Sequence, residues 1–139
     1  VDAARNDWLA GKLTAKKIPA KKWSTQEWSH FLDNLPKTLP VSKLQELDAA
    51  FKLTGTPNGE IAMRWYPLTI RSGYVKARPA IAAFLKKVGR RKLIIPSYNA
   101  LVETQDGLAF AKTVFAEARP GYHPITIGTV EALLGKAKP

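Results

Sequence analysis

The chain has 139 residues, 45% of them hydrophobic, with four Trp, five Phe and four Tyr; that size and composition suit one folded domain and exclude a disordered chain. Its 22 Lys and Arg against 11 Asp and Glu give a net charge of +11, so anions are the expected partners. Cysteine is absent, which excludes a disulfide framework and thiolate metal ligands and fits an intracellular origin.

No apolar run approaches the roughly 20 residues that a membrane span needs, so no membrane partner is expected. Val1 is not an initiator Met and nothing before Trp8 resembles a signal sequence. The chain is therefore expected to be a piece of something longer, with a cytoplasmic location subject to any signal upstream.

Residues 1–22 read as a basic lead-in, because Lys12, Lys16, Lys17, Lys21 and Lys22 meet no acid between Asp7 and Glu27. Such a run is ordinarily a solvated linker or helix face, and its functional alternative is a nucleic-acid tether. Residues 23–139 carry the helical pattern.

Trp23-Ser24-Thr25-Gln26-Glu27-Trp28 predicts a helix start with a capping box, Ser24 and Glu27 each accepting from the other's backbone N–H. Trp23 and Trp28 then occupy the two hydrophobic staple positions. Trp28, Phe31, Leu32 and Leu35 line one face until Pro36 stops the helix. Ser42 with Gln45 repeats the capping pattern before the stripe Leu44, Leu47, Phe51, which runs to the turn Gly55-Thr56-Pro57.

Asn58 is the expected cap of the next helix, where Glu60 and Arg64 form a favourably oriented pair four residues apart. Pro67 predicts a kink or an early stop there. Pro79 opens another helix, with Ile81, Phe84, Leu85 and Val88 on its apolar side and Gly89 at its C-terminal cap. Pro96 and Pro124 suit first-turn positions, with Tyr98, Leu101, Val102 and Val130, Leu133, Leu134 facing inward, and Thr104 caps the segment holding Leu108, Ala111, Val114 and Phe115. Leu93-Ile94-Ile95 is the only β-like run.

About eight short helices joined by tight turns follow, an all-α chain whose hairpins form either a bundle or a superhelix.

Between Glu60 and Glu103 there is no acid, and nine Lys and Arg fall there, three of them adjacent as Arg90-Arg91-Lys92. Cations at a helix C-terminus complement its dipole or are simply solvated, which is the ordinary explanation for such a cluster. If the chain past Gly89 is extended, however, Arg90 and Lys92 project to one side, share one anion, and leave Arg91 facing elsewhere. A guanidinium fork beside an ammonium suits a carboxylate, and Leu93, Ile94 and Ile95 would keep it dry.

Arg64, Trp65 and Tyr66 suggest base stacking only weakly, since aromatics at helical spacing are more often core. His30 and His123 have no second His or carboxylate at ligand spacing, so no metal is expected in this chain. No H-E-x-x-H, phosphate loop or nucleophile elbow is present.

Three stretches in order, "FLDNLP" (Phe31 to Pro36), "NGEIAMRW" (Asn58 to Trp65) and "GRRK" (Gly89 to Lys92) followed by Pro96, resemble the C-terminal domain of the zinc aminopeptidase family that includes leukotriene hydrolase. Tyr122-His123-Pro124-Ile125-Thr126 resembles that domain's end, so the likeness runs from about Ser24 through Val130. The resemblance implies a two-layer, armadillo-like helical superhelix packed on a catalytic domain that holds zinc. It implies that Arg90 and Lys92 bind the free carboxylate of a short peptide substrate. It also implies that the zinc, the catalytic Glu and the groups holding the substrate's amino terminus all lie upstream of Val1, so that this chain alone is inactive and binds no cofactor. Arg91 and Pro67 depart from the family's pattern, and no ligand role passes to Arg64 or Trp65.

On this resemblance the expected partners are a catalytic domain of the same polypeptide and a short peptide, with nucleic acid not expected. The alternative is a stand-alone basic helical module that binds nucleic acid or an acidic protein, for which the charge is the argument. A free-standing superhelical scaffold shares the fold and needs no peptidase.

Overall fold

In the computed structural model, which describes residues 1–137, eight α-helices follow one another with three 3₁₀ turns and, among those residues, no strand. They are α1 (Asp2–Leu9), α2 (Thr25–Asp33), α3 (Val41–Phe51), α4 (Gly59–Ser72), α5 (Arg78–Lys87), α6 (Arg91–Leu101), α7 (Gln105–Ala118) and α8 (Pro124–Lys136). Helices two apart in sequence lie side by side: α4 packs on α2 and α6, α6 on α8, and α5 on α7. Even and odd helices thus form two layers of an all-helical, armadillo-like superhelix.

Local chemistry starts several of these helices. Ser24 Oγ accepts from Glu27 N at 3.2 Å while Glu27 Oε1 accepts from Ser24 N at 3.1 Å, closing the capping box. Trp23 and Trp28 meet edge to face with centroids 5.1 Å apart. Asn58 Oδ1 caps α4, Thr104 Oγ1 caps α7, and His123 Nδ1 accepts from Ile125 N at the start of α8, with Pro124 in its first turn.

Four local expectations yield to tertiary packing. The start of α3 lies at Val41 with Pro40 as N-cap, so Ser42 is already inside the helix and caps nothing. Pro67 does not stop α4, which continues to Ser72 and ends at Gly73 in the left-handed conformation, φ 77°. Burial holds it together there, since Trp65, Tyr66, Pro67, Leu68 and Thr69 are all buried and the packing outweighs one missing backbone bond. Val88, extended at φ −100°, ends α5 in place of Gly89. Finally, α6 begins at Arg91, which puts Leu93-Ile94-Ile95 in a helix and Pro96 in its interior. Ile94, Tyr98 and Leu101 supply the reason, forming a helical stripe of fully buried side chains.

The lead-in is tied to this core. Trp8 is fully buried, as is Ala15, and Ile18 and Ala20 are nearly so. Trp8 Nε1 donates to Glu46 Oε1 at 3.2 Å, and Ala15 N donates to Glu46 Oε2 at 2.7 Å. Lys43 lies over the Trp8 ring at 4.8 Å and donates to its carbonyl.

Candidate anion-binding site

The start of α6 carries the three adjacent cations. Arg90 is its N-cap and Arg91 and Lys92 its first two helical residues, all exposed. The cations therefore stand at the positive end of a helix dipole, where they repel it; the dipole explanation, which needs a C-terminus, does not apply, while all three side chains are solvated. The extended stretch past Gly89 is absent as well. Only Arg90 is extended, φ −72° and ψ 115°, and the helix begins with the next residue.

Lys92 meets a residue the sequence did not single out for the site. Lys92 Nζ donates to Glu60 Oε1 at 2.8 Å. Glu60 lies in the first turn of α4, and the hydrogen bond from Lys92, with the charges of Lys92, Arg64 and Arg90, holds its carboxyl below the usual carboxylate range against the opposing effect of desolvation.

The two helix starts are in contact: a Cβ on Gly59 would lie 2.9 Å from Leu93 Cδ1, so the Leu93 side chain of α6 packs on the bare backbone at the start of α4. The next residue of α4 is Glu60 and the preceding residue of α6 is Lys92.

The network extends across the even layer. Arg64 Nη1 donates to the Glu60 carbonyl at 2.9 Å and lies 3.7 Å from Glu60 Oε2, while its Nε donates to Asp33 Oδ1 of α2 at 2.9 Å. Asp33, Arg64, Glu60 and Lys92 form one chain of alternating charge over α2, α4 and α6. Among the described residues Arg90 has no ion pair, and the first turn of α6 has no side-chain cap on its N–H groups. With Arg91, likewise without an ion pair among the described residues, four cations face two carboxylates beside open donors. That arrangement suits an anion.

Arg64 is also a wall of an adjoining cleft of about 300 Å³, floored by Leu32, Met63, Pro67, Leu68 and Pro96 and edged by Lys37 and Arg71. The other candidates are structural. Trp65 and Tyr66 are core, 0% and 1% exposed, which removes them as stacking platforms. His30 Nε2 lies 2.7 Å from Asp2 Oδ1 and His123 is a helix cap. Among the described residues no three His, Cys, Asp or Glu are grouped to hold a metal ion.

Residues 23–134 match the family description "Leukotriene A4 hydrolase, C-terminal". The chain belongs to this family. It is 32% identical over 92 residues to leukotriene A-4 hydrolase of Xenopus laevis, covering 66% of this chain and 15% of that protein. It is 30% identical over 158 residues to leucine aminopeptidase 2 of Kluyveromyces lactis, covering 97% of this chain and 24% of the relative. To leucine aminopeptidase 2 of Neurospora crassa it is 30% identical over 131 residues, covering 92% and 19%. The chain thus spans a quarter or less of the length of these curated relatives. No helix among the described residues is long and apolar enough to cross a membrane.

The sequence placed Arg90 and Lys92 together on a geometry the fold does not use. Asp33 and the link from Glu60 to Lys92 escaped because those partners lie about 30 residues apart. The local Glu60–Arg64 pair was readable, and both acids sit inside the stretches carrying the family resemblance.

Proposed function

We propose that this chain is the substrate-anchoring and scaffolding C-terminal domain of a zinc aminopeptidase that removes N-terminal residues from short peptides, with Arg90 and Lys92 receiving the peptide's free carboxylate. One observation carries the reading: Lys92 donates to the Glu60 carboxylate at 2.8 Å, and Arg90, two residues before it at the N-cap of the same helix, has no ion pair among the described residues. The place therefore already accommodates a carboxylate.

Family membership supports the rest. The catalytic domain and its zinc belong to the polypeptide outside this chain. The superhelix supplies a rigid mount on which α4 and α6 hold the anchor. Anchoring the far end of a short peptide places the scissile bond, so remote binding energy is converted into orientation.

The test uses the complete polypeptide. Replacing Arg90 by Ala should lower kcat/KM for free-carboxylate tripeptides by about tenfold or more, the scale of a charge-assisted contact inside a closed cleft. Zinc content should not change, and C-terminally amidated peptides, which lack the anchored charge, should be cleaved as before. Equal kcat/KM for the free-carboxylate peptides in variant and wild type would sink the assignment.

A further inference from the structure

An apolar pocket borders the anchor. Ile81 and Leu85 of α5 go into the core, while Ala80, Ala83, Phe84 and Lys87, at the spacing of a second helical face, line a pocket of about 440 Å³ between α4, α5 and the start of α6. The two alanines leave room that larger side chains would fill. Tyr66 and Phe84, both buried, give the pocket its aromatic side, with ring centroids 5.4 Å apart and planes tilted by 54°.

Local bonds hold the pocket open. Tyr66 Oη accepts from Gly55 N at 2.9 Å, so the hydroxyl is satisfied within the fold and the ring is fixed. Gly55 turns the chain at φ 87°, and Thr56 Oγ1 accepts from Asn58 N at 3.2 Å, which ties this wall to the start of α4. No acid lines the pocket, and its one charged residue is Lys87, exposed at the rim. Volume and lining suit an apolar group with a negative charge beside it.

The cations of the anchor lie at the edge of the same pocket. Val88 and Leu93 both line it, and Arg90, Arg91 and Lys92 fall between them in the chain. Gly59 and Leu93, in contact with each other, also line it, and their neighbours Glu60 and Lys92 make the ion pair. The C-terminal residue of a peptide has the matching chemistry, because its carboxylate and its side chain leave the same Cα. An apolar side chain fits the floor, whereas a cationic one meets Lys87 and no acid.

We propose that the pocket between α4, α5 and α6 is a specificity subsite that receives the apolar side chain of the residue whose carboxylate Arg90 and Lys92 hold, so that short peptides ending in Phe or Leu are favoured over those ending in Ala or Lys. This rests on the anchor reading above and gives the same peptide end a second point of attachment.

The decisive comparison uses the complete polypeptide and two tripeptides that differ only in a final Phe or Ala. Wild type should cleave the Phe-ended peptide about tenfold better or more, through KM more than kcat, the scale of burying one large apolar side chain. Ala83→Leu adds bulk at an exposed position on the pocket's edge, and it should bring that ratio close to one by raising KM for the Phe-ended peptide. Ala80→Leu fills the pocket from the neighbouring turn of α5 and should do the same, with thermal unfolding as the check that each variant is folded. Arg90→Ala tests the anchor separately and should lower both peptides. If it changes neither, the anchor reading fails. If it lowers both but wild type shows no preference for Phe, or the filling variants keep the wild-type ratio, the anchor stands and the subsite is overturned. Filling variants that lower both peptides alike would overturn it too, since the pocket would then hold another part of the polypeptide.

Discussion

On the face built from the N-terminal segment and α3, carboxylates serve the fold: Glu46 accepts from Trp8 Nε1 and Ala15 N, and Asp48 accepts from Thr54 N, Thr54 Oγ1 and Tyr74 Oη. Across α2, α4 and α6, by contrast, Asp33 and Glu60 face Arg64 and Lys92. The charge left over differs in kind. On the first face Lys12, Lys16, Lys17, Lys21 and Lys22 are exposed and, among the described residues, form no ion pair, while Glu46 is turned inward. On the second, the cations are organised around carboxylates and, among the described residues, Arg90 and Arg91 are left without an ion pair. A carboxylate committed to backbone N–H groups is part of the scaffold. One shared among flexible cations leaves donors that a ligand can use.

The strongest way to break this comparison is to remove the first face's anchor. Trp8 is fully buried, packs against Phe31 with centroids 6.1 Å apart, and satisfies its indole N–H on Glu46. Trp8→Ala should cost about 3–5 kcal/mol of unfolding free energy, the range for deleting a buried Trp or Phe. Urea denaturation checks it, and a loss under about 1 kcal/mol would mean that the lead-in is an appendage, since even modest core truncations exceed that.

Glu46→Ala comes next. It leaves the Ala15 N–H and the Trp8 indole without their acceptor, so a loss of about 1–3 kcal/mol is expected, the cost of stranding a partly buried donor. The same chemical unfolding experiment checks it, with Trp8→Phe as companion: once the indole N–H is gone, Glu46→Ala should cost less than in wild type.

What the sequence made legible follows the range of the forces involved. Capping at Ser24, Asn58 and Thr104 and the Trp23–Trp28 staple were readable because both partners lie within a few residues. Ser42, Gly89 and Pro96 carried local signals of equal weight and misled, because the starts of α3 and α6 are set by burying Leu44, Leu47, Ile94 and Tyr98 against helices distant in sequence. The misreading of α6 is the instructive one. Three cations at a helix N-terminus oppose the dipole, so local rules place them at a C-terminus. Their actual position follows from the burial of Ile94, Tyr98 and Leu101, and the Glu60 carboxylate of another helix meets one of them, Lys92.

The smallest expected effects belong to the second face and test whether its network is adjustable. Arg64 and Asp33 are 22% and 56% exposed, so a double-mutant cycle with Asp33→Asn and Arg64→Gln should give a coupling of only about 0.2–1 kcal/mol, weakening in salt. Acid gives the same test on Glu60. Its carboxyl ionises below its ordinary value of 4.5 in the folded chain. A carboxylate of lowered pKa stabilises the fold fully above the unfolded value and loses that contribution as pH falls through the folded one. Wild type should therefore lose stability below pH 4.5 more steeply than Glu60→Gln, and Lys92→Gln, which removes the largest cause of the shift, should move the Glu60 titration upward when followed by carboxyl NMR. A Glu60 titration that stays put in Lys92→Gln would show that the ammonium does not hold the carboxylate, and the network would then give Lys92 no fixed place at the anchor.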